Sequence, residues 1–245
     1  MINEIIRRKL VERKRIAVGL YRFDETSERR IKKAKEIAKD FADVLIIDEG
    51  EETEKALVDV LRKGEVDAAV RGTARASKIL EILRKEFETY RIALLETAEG
   101  KLFLLAPVGV DEGKNIREKL IMIEEAKKIS KKLGLKGSVA VLAGGRYGDI
   151  GRSEVVDASL ATAELIAKLS NAKNYEIKIE EAVKEDIVIA PDGISGNLIF
   201  RSLCYLGRGR EYGAVYTNLP FKLVDTSRSQ SPEGYARAIA LASVI

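Results

Sequence analysis

The sequence predicts an α/β protein folded around a mostly parallel sheet, and three observations predict it. Apolar runs of roughly four to seven residues alternate with longer segments of helical period, the pattern of βαβ units. The composition, 46% hydrophobic and 33% charged, is that of a globular chain, and no apolar run approaches the roughly 18 residues that a membrane span requires. The βα rhythm breaks at one place, residues 96–101, where two strand-like runs are joined by the short turn ETAEGK.

Taken in order, strands are expected at Arg15–Leu20, Asp43–Ile47, Asp67–Val70, Arg91–Leu95, Leu102–Ala106, Ser138–Leu142, Asp186–Ala190, Gly213–Tyr216 and Lys222–Val224. Each is short, apolar and rich in Val, Ile and Leu, as buried parallel strands are. Helices are expected at Thr26–Lys39, Thr53–Lys63, Ser77–Phe87, Asn115–Leu133, Ser153–Leu169, Ser195–Leu206 and Pro232–Ser243, where apolar residues return every three or four positions. Gly134 suits the left-handed residue that closes a helix, and Ser231-Pro232 reads as an N-cap followed by a first helical residue. Gly100 suits a hairpin between the fourth and fifth strands, and an antiparallel connection there would mark a domain boundary. A chain of 245 residues allows one large domain or two small ones. No Gly/Ser linker and no internal repeat separates them.

Composition removes several kinds of chemistry. There is no histidine, so the usual general base, the usual zinc ligand and every Ser-His-Asp triad are excluded. The single cysteine, Cys204, cannot form a disulfide within the chain, as expected in a reducing compartment. The net charge of +4 is small against 43 basic and 39 acidic residues that mostly interleave, so neither nucleic acid nor a membrane surface is called for. The N-terminal MINEIIRRKLVERKRIAVGL lacks the apolar core and cleavage site of a secretory signal, and a cytoplasmic location is expected. Lys and Glu are abundant, Gln230 is the only glutamine and Trp is absent, a balance expected of a thermophile.

Four loops at predicted strand ends, where open α/β sheets bind ligands, carry residues suited to anions. The first, Arg71-Gly72-Thr73-Ala74-Arg75-Ala76-Ser77, offers Gly72 for close backbone approach, the Thr73 hydroxyl and the Arg75 fork; a helix cap with surface arginines explains it as well. The second, residues 143–153, contains Gly144, Gly145 and Arg146 ahead of a helix, where free N–H groups and the helix dipole favour negative charge. It has neither a Walker nor a dinucleotide spacing, and a long surface loop is the alternative. The third, Pro191-Asp192-Gly193-Ile194-Ser195-Gly196-Asn197, follows an apolar strand; Ser195 or Asn197 could simply cap the helix. The fourth runs from Asp225 through Ser227 and Arg228 to Glu233, and helix capping accounts for Ser231 and Pro232 but not for Ser227 and Arg228. No set of carboxylates has metal-ligand spacing, and no metal is expected.

The stretch PDGISGNLIFRSLCYLGRGREYGAVYTNLPFKLVDTSRSQSPEGYARAIALA resembles the C-terminal end of the phosphotransacetylases, with an acidic-Ser-Gly-Asn turn, a helix, a hairpin and a Ser-Arg loop in the same order. VDAAVRGTARASKILEIL and LLAPVGVDEGKNIREKLIMIEEAKKISKKLGLKGSVAVLAGG resemble that family's earlier segments, so about three-quarters of the chain is covered. Within this superfamily the sequence resembles the shorter MtxX proteins of methanogens, methanogenesis markers described as methyltransferase subunits. The resemblance implies an isocitrate/isopropylmalate dehydrogenase-like fold with two α/β domains flanking a cleft, usually as a homodimer. The first domain would be residues 1–97 with 226–245 and the second 98–225.

The resemblance also implies a site. Ser227 and Arg228 match the pair that holds the acyl phosphate, and a coenzyme A thiolate would attack the carbonyl while Arg228 and Arg75 steady the developing charge. Coenzyme A is thus the implied co-substrate, and a small phosphorylated anion the implied ligand. The family's acidic residue falls at Gly234, and Glu233 takes its place after a one-residue slip. The family's Ser/Thr-rich turn is replaced by Gly144, Gly145 and Arg146, which implies an altered substrate. Two other readings stand beside the transferase: a methyl-transfer component with partner subunits, and a non-catalytic binding or regulatory protein.

Overall fold

In the computed structural model the chain divides into two compact units, residues 1–89 with 211–245 and residues 90–210. The structure describes residues 2–245. Along the chain the elements are α1 (Glu4–Arg7), β1 (Lys14–Gly19), α2 (Ser27–Ala38), β2 (Ala42–Ile47), α3 (Thr53–Arg62), β3 (Ala68–Val70), α4 (Ala76–Arg84), β4 (Arg91–Glu96), β5 (Leu102–Ala106) and α5 (Ile116–Leu133). They continue with β6 (Val139–Val141), α6 (Glu154–Ser170), β7 (Lys173–Asn174), α7 (Ile179–Ala182), β8 (Ile187–Ile189), α8 (Gly193–Tyr205), β9 (Arg210–Tyr216), β10 (Leu223–Asp225) and α9 (Pro232–Val244).

The first unit holds strands in the order β2-β1-β3-β10-β9. β1 pairs in parallel with β2 and β3, β3 in parallel with β10, and β10 antiparallel with β9. Leu57, Val58 and Leu61 of α3 and Ile79 and Leu83 of α4 pack on Ala17, Ala69 and Leu223 of the strands. Helices α2 and α9 pack on each other, with α9 also against β1 and β3, burying Ile31, Ala34, Tyr235 and Ile239. Burying an isoleucine side chain of this kind supplies roughly 1.5–3 kcal/mol.

The second unit orders its strands β4-β5-β8-β6-β7. The β4–β5 pair is the expected antiparallel hairpin, with Leu94 opposite Leu104. Its turn closes through Gly100 N–H to Thr97 O at 3.0 Å, with Gly100 at φ +88°, the left-handed conformation that favours glycine. The remaining pairs, β5–β8, β8–β6 and β6–β7, are parallel. Helix α5 starts on an Asn115 cap, whose side chain accepts from Glu118 N–H, and ends on Gly134 at φ +75°. Its buried stripe is Lys119, Met122, Ile123, Ala126, Ile129, Ser130 and Leu133, the i, i+3, i+4 spacing of an amphipathic helix with a lysine at one core position.

The seven expected helices and nine expected strands all form, with ends shifted by a few residues. Five short elements were not expected: α1, α7, the two-residue β7 and single 3-10 turns at Gly50–Glu52 and Tyr147–Asp149. Each is too short to show a period, and β7 is held from elsewhere, since Tyr175 N–H just after it donates to Val141 O at 2.8 Å. The unit limits fall at 89/90 and 210/211, whereas the sequence expectation set them at 97/98 and 225/226. The difference arises because both hairpin strands β4 and β5 belong to the second unit, and β9 and β10 return to the first.

Candidate functional site

In the first unit the structure brings together two of the four loops, the one after β3 and the one after β10. Thr226 Oγ1 donates to Gly72 O at 3.0 Å, and the buried Arg71 guanidinium pairs with Asp225 and donates to Ala74 O. Gly72, at φ +62°, lies so close to the end of β1 that a Cβ there would sit 2.1 Å from Gly19 O. Thr73 continues the contact, its N–H donating to Gly19 O at 3.0 Å and its hydroxyl accepting from Tyr21 N–H at 2.9 Å. Gly72 and Thr73 thus hold backbone against backbone.

The Arg75 side chain meets two carboxylates. It donates from Nη1 to Glu51 at 2.6 Å and from Nη2 to Glu54 at 2.7 Å, and its guanidinium carbon lies 4.2 Å from the Tyr21 ring centroid. Hydrogen bonds from Arg75 and then Tyr21 bring the Glu51 carboxyl down to about 2. Burial opposes ionisation of Glu54, but the hydrogen bonds from Arg75 outweigh it and leave that carboxyl below its usual value.

Arg228 is placed differently. It is exposed, 5.4 Å from the Phe23 ring centroid, and no described carboxylate pairs with it. Arg30, which lies on the same Phe23 ring, pairs with Asp24, and Arg22, Arg71 and Arg75 of the same unit pair with Asp48, Asp225 and Glu54 respectively. The backbone beneath is pinned by the buried Tyr235 hydroxyl, which donates to Ser227 O at 3.0 Å and Arg228 O at 2.8 Å. The Ser227 and Ser229 hydroxyls lie 3.0 Å apart beside it.

Two carboxyls flank the same helix start. Glu233 is exposed and lines an open groove with Ile2, Arg7, Ile37, Phe41 and Arg237; bonding to a backbone N–H in the first turn of α9 holds its carboxyl below the usual value. A depressed carboxyl is a weaker base. Glu211, at the start of β9, is 4% exposed, and burial pushes its carboxyl up to about 7 despite Gln230 and Arg237. Sequence reasoning missed Glu211, because a charged residue at a strand end reads as solvated until the burial is known.

The second unit holds the other two loops. The Gly-rich loop after β6 does offer N–H groups to negative charge, but the carboxylates are the chain's own: Arg146 N–H donates to Asp149 at 2.9 Å, Tyr147 N–H to Glu176 at 2.8 Å and Gly151 N–H to Asp157 at 2.9 Å. Gly144 N–H donates to Ser159 Oγ at 2.8 Å, Gly145 is buried against Val156, and the Arg146 side chain is exposed. In the loop after β8, Asp192 caps α8 by accepting from Ser195 N–H at 2.7 Å and from Ser195 Oγ at 3.1 Å. A Cβ on Gly196 would sit 1.9 Å from Pro107 O, and Asn197 donates to Val108 O at 3.0 Å, so both seat α8 on the segment after β5. Gly144, Asp192 and Ser195 line one cavity together with Lys119. Lys119 was missed although it carried a signal, since it occupies an apolar-stripe position of α5.

Among the described residues no group of three or more His, Cys, Asp or Glu is placed to hold a metal ion, and no helix is long and apolar enough to cross a membrane.

No protein-family model matches the chain. It is 47% identical over 220 residues to a Methanosarcina mazei protein named "Putative methyltransferase mtx subunit X", an alignment covering 86% of this chain and 78% of that one. The chain belongs to the Mtx subunit X family. The Methanosarcina barkeri member of the family is 44% identical over 86% of this chain and 80% of its own, and an uncharacterized methyltransferase of Methanocaldococcus jannaschii is 42% identical over 76% and 82%. Among solved structures, a branched-chain phosphotransacylase from Enterococcus faecalis superposes with a TM-score of 0.69 at 18% identity, covering 93% of this chain and 97% of that one. A phosphotransacetylase from Streptococcus pyogenes gives 0.68 at 14% identity, with 98% and 96% covered. The Mtx subunit X family therefore has the phosphotransacetylase-type α/β fold that the sequence resemblance implied.

Proposed function

We propose that this protein binds a small phosphorylated anion at the Ser227–Arg228 loop and is a group transferase of phosphotransacetylase type with an altered substrate. The observation that carries the reading is the Arg228 guanidinium, which has no carboxylate while Arg30, Arg71 and Arg75 of the same unit have theirs. A guanidinium fork on a loop that also carries the Ser227 and Ser229 hydroxyls suits a phosphate, and charge-assisted bonds of that kind are about twice as strong as neutral ones. In the reaction that fits, a coenzyme A thiolate attacks the acyl carbonyl, Arg228 stabilises the negative charge that develops, and phosphate leaves. Glu211 is a better-tuned candidate for handling a proton near neutral pH than Glu233. Coenzyme A as co-substrate, a cytoplasmic homodimer and a thermophilic source belong to the same reading.

Titration of the protein with acetyl phosphate and coenzyme A, followed by a coupled assay for acyl transfer, tests it. Heat of binding that Arg228→Ala abolishes supports the site; a folded protein that neither binds nor turns over these compounds removes it.

The names of the relatives favour a second reading, a methyltransferase component working with partner subunits. Titration with a tetrahydropterin and with a corrinoid protein distinguishes it, since flat heats with both would leave it without a methyl carrier.

A further inference from the structure

Inside the second unit a cavity of about 410 Å³ opens beside the carboxyl ends of β6 and β8 and the face of α6. Its wall is largely apolar, with Val141, Val156, Ala163 and Ile166, and Lys119 of α5 projects into it. Lys119 is 6% exposed, and no described residue accepts a hydrogen bond from it or pairs with it. Burial accordingly lowers the affinity of its amine for a proton. Asp192, the opposite charge that acts on it most, has its two oxygens engaged by Ser195. Ser159 and Thr162 add hydroxyls to the same wall.

A mostly buried lysine whose ammonium faces this cavity, with Asp192 and Glu118 acting on it only through space and no direct ion pair, is an expensive feature to keep, and a hydrophobic residue would fill the same stripe of α5 without that cost. The arrangement makes sense when an anion from solvent completes the pair. We propose that this cavity is a binding site for a small aliphatic anion. Its carboxylate or phosphate head pairs with Lys119 and takes hydrogen bonds from Ser159 or Thr162. Its apolar body lies on Val141, Val156 and Ile166. This site goes beyond the Arg228 reading and shares no residue with it.

The test is calorimetric titration of the full chain with butyrate and with butyl phosphate. Saturable binding of either supports the proposal, and the tighter of the two identifies the head group. Lys119→Met, which keeps the length of the side chain without its charge, weakens that binding at least about tenfold, the loss expected for a charge-assisted contact. Arg228→Ala leaves it unchanged, so failure here is distinguishable from failure of the phosphotransacetylase-type reading. If Lys119→Met does not fold, reductive methylation of the wild-type protein decides, with butyrate or butyl phosphate slowing modification of Lys119. Absence of binding by both compounds, undiminished binding to Lys119→Met, or methylation of Lys119 at an unchanged rate would overturn the proposal.

Discussion

The buried hydroxyl of Tyr235 donates to the backbone carbonyl of Arg228 at 2.8 Å, so the loop that carries Arg228 is positioned by a helix side chain seven positions further along. The same hydroxyl reaches Ser227 O at 3.0 Å. Burial drives the Tyr235 phenol far above its usual pKa, and it stays a donor at any ordinary pH. Tyr235→Phe therefore removes the restraint while keeping the ring that packs α9. We expect a stability loss of about 1–2 kcal/mol from the two carbonyls left without their donor. Amide hydrogen exchange should quicken at Ser227 to Ser229 while the centre of α9 keeps its protection; unchanged exchange in the loop would mean that the hydroxyl does not hold it.

Arg71 and Asp225 form the ion pair that joins the loop after β3 to the end of β10, with Arg71 buried. Removing one member of such a pair costs about 3–5 kcal/mol because the other charge is left unsatisfied. Arg71→Met should lower the urea midpoint strongly, and Arg71→Met with Asp225→Leu should recover part of the loss. A double variant no better than the sum of the single ones would show that the pair acts through packing rather than charge.

Glu211 gives a pH dependence of definite sign. Its carboxyl is raised to about 7 in the folded chain from an ordinary value of 4.5, so the folded state holds the proton over a range where the unfolded state has lost it. Both states are protonated below the ordinary value, and there the group costs nothing. Stability then falls as pH rises through this window and levels off above the folded value, by at most roughly 3 kcal/mol. Glu211→Gln, which keeps the shape in uncharged form, should flatten the curve and leave the variant more stable than wild type at pH 8. Parallel curves for the two proteins, measured by urea unfolding at several pH values, would place the titration elsewhere.

Local signals explain why so much of the architecture was legible. Gly134, Ser231-Pro232 and the ETAEGK turn act on their immediate neighbours, and the helix ends and hairpin lie where those residues put them. The Ser-Arg loop was legible for another reason: its order relative to the surrounding elements matches a known family, and order survives when few residues are shared. The glycines were harder. Gly72 and Gly196 suggested room for a ligand, but they serve close backbone packing against Gly19 and Pro107, partners 53 and 89 positions away. A glycine signals close approach without saying what approaches.

The sequence by itself determined the α/β class, the sites of capping and turning, and the exclusion of histidine chemistry, because periodicity, caps and composition are properties of the chain in one dimension. The tertiary structure decided which charges remain unneutralised. Arg75 and Arg228 look alike as residues, yet Glu51 and Glu54 occupy the first while the second stands without a carboxylate. It also decided that Lys119 and Glu211 are buried while most of their kind are solvated. Electrostatic environment depends on distance and desolvation in space, and both are set only when segments remote in the chain come together.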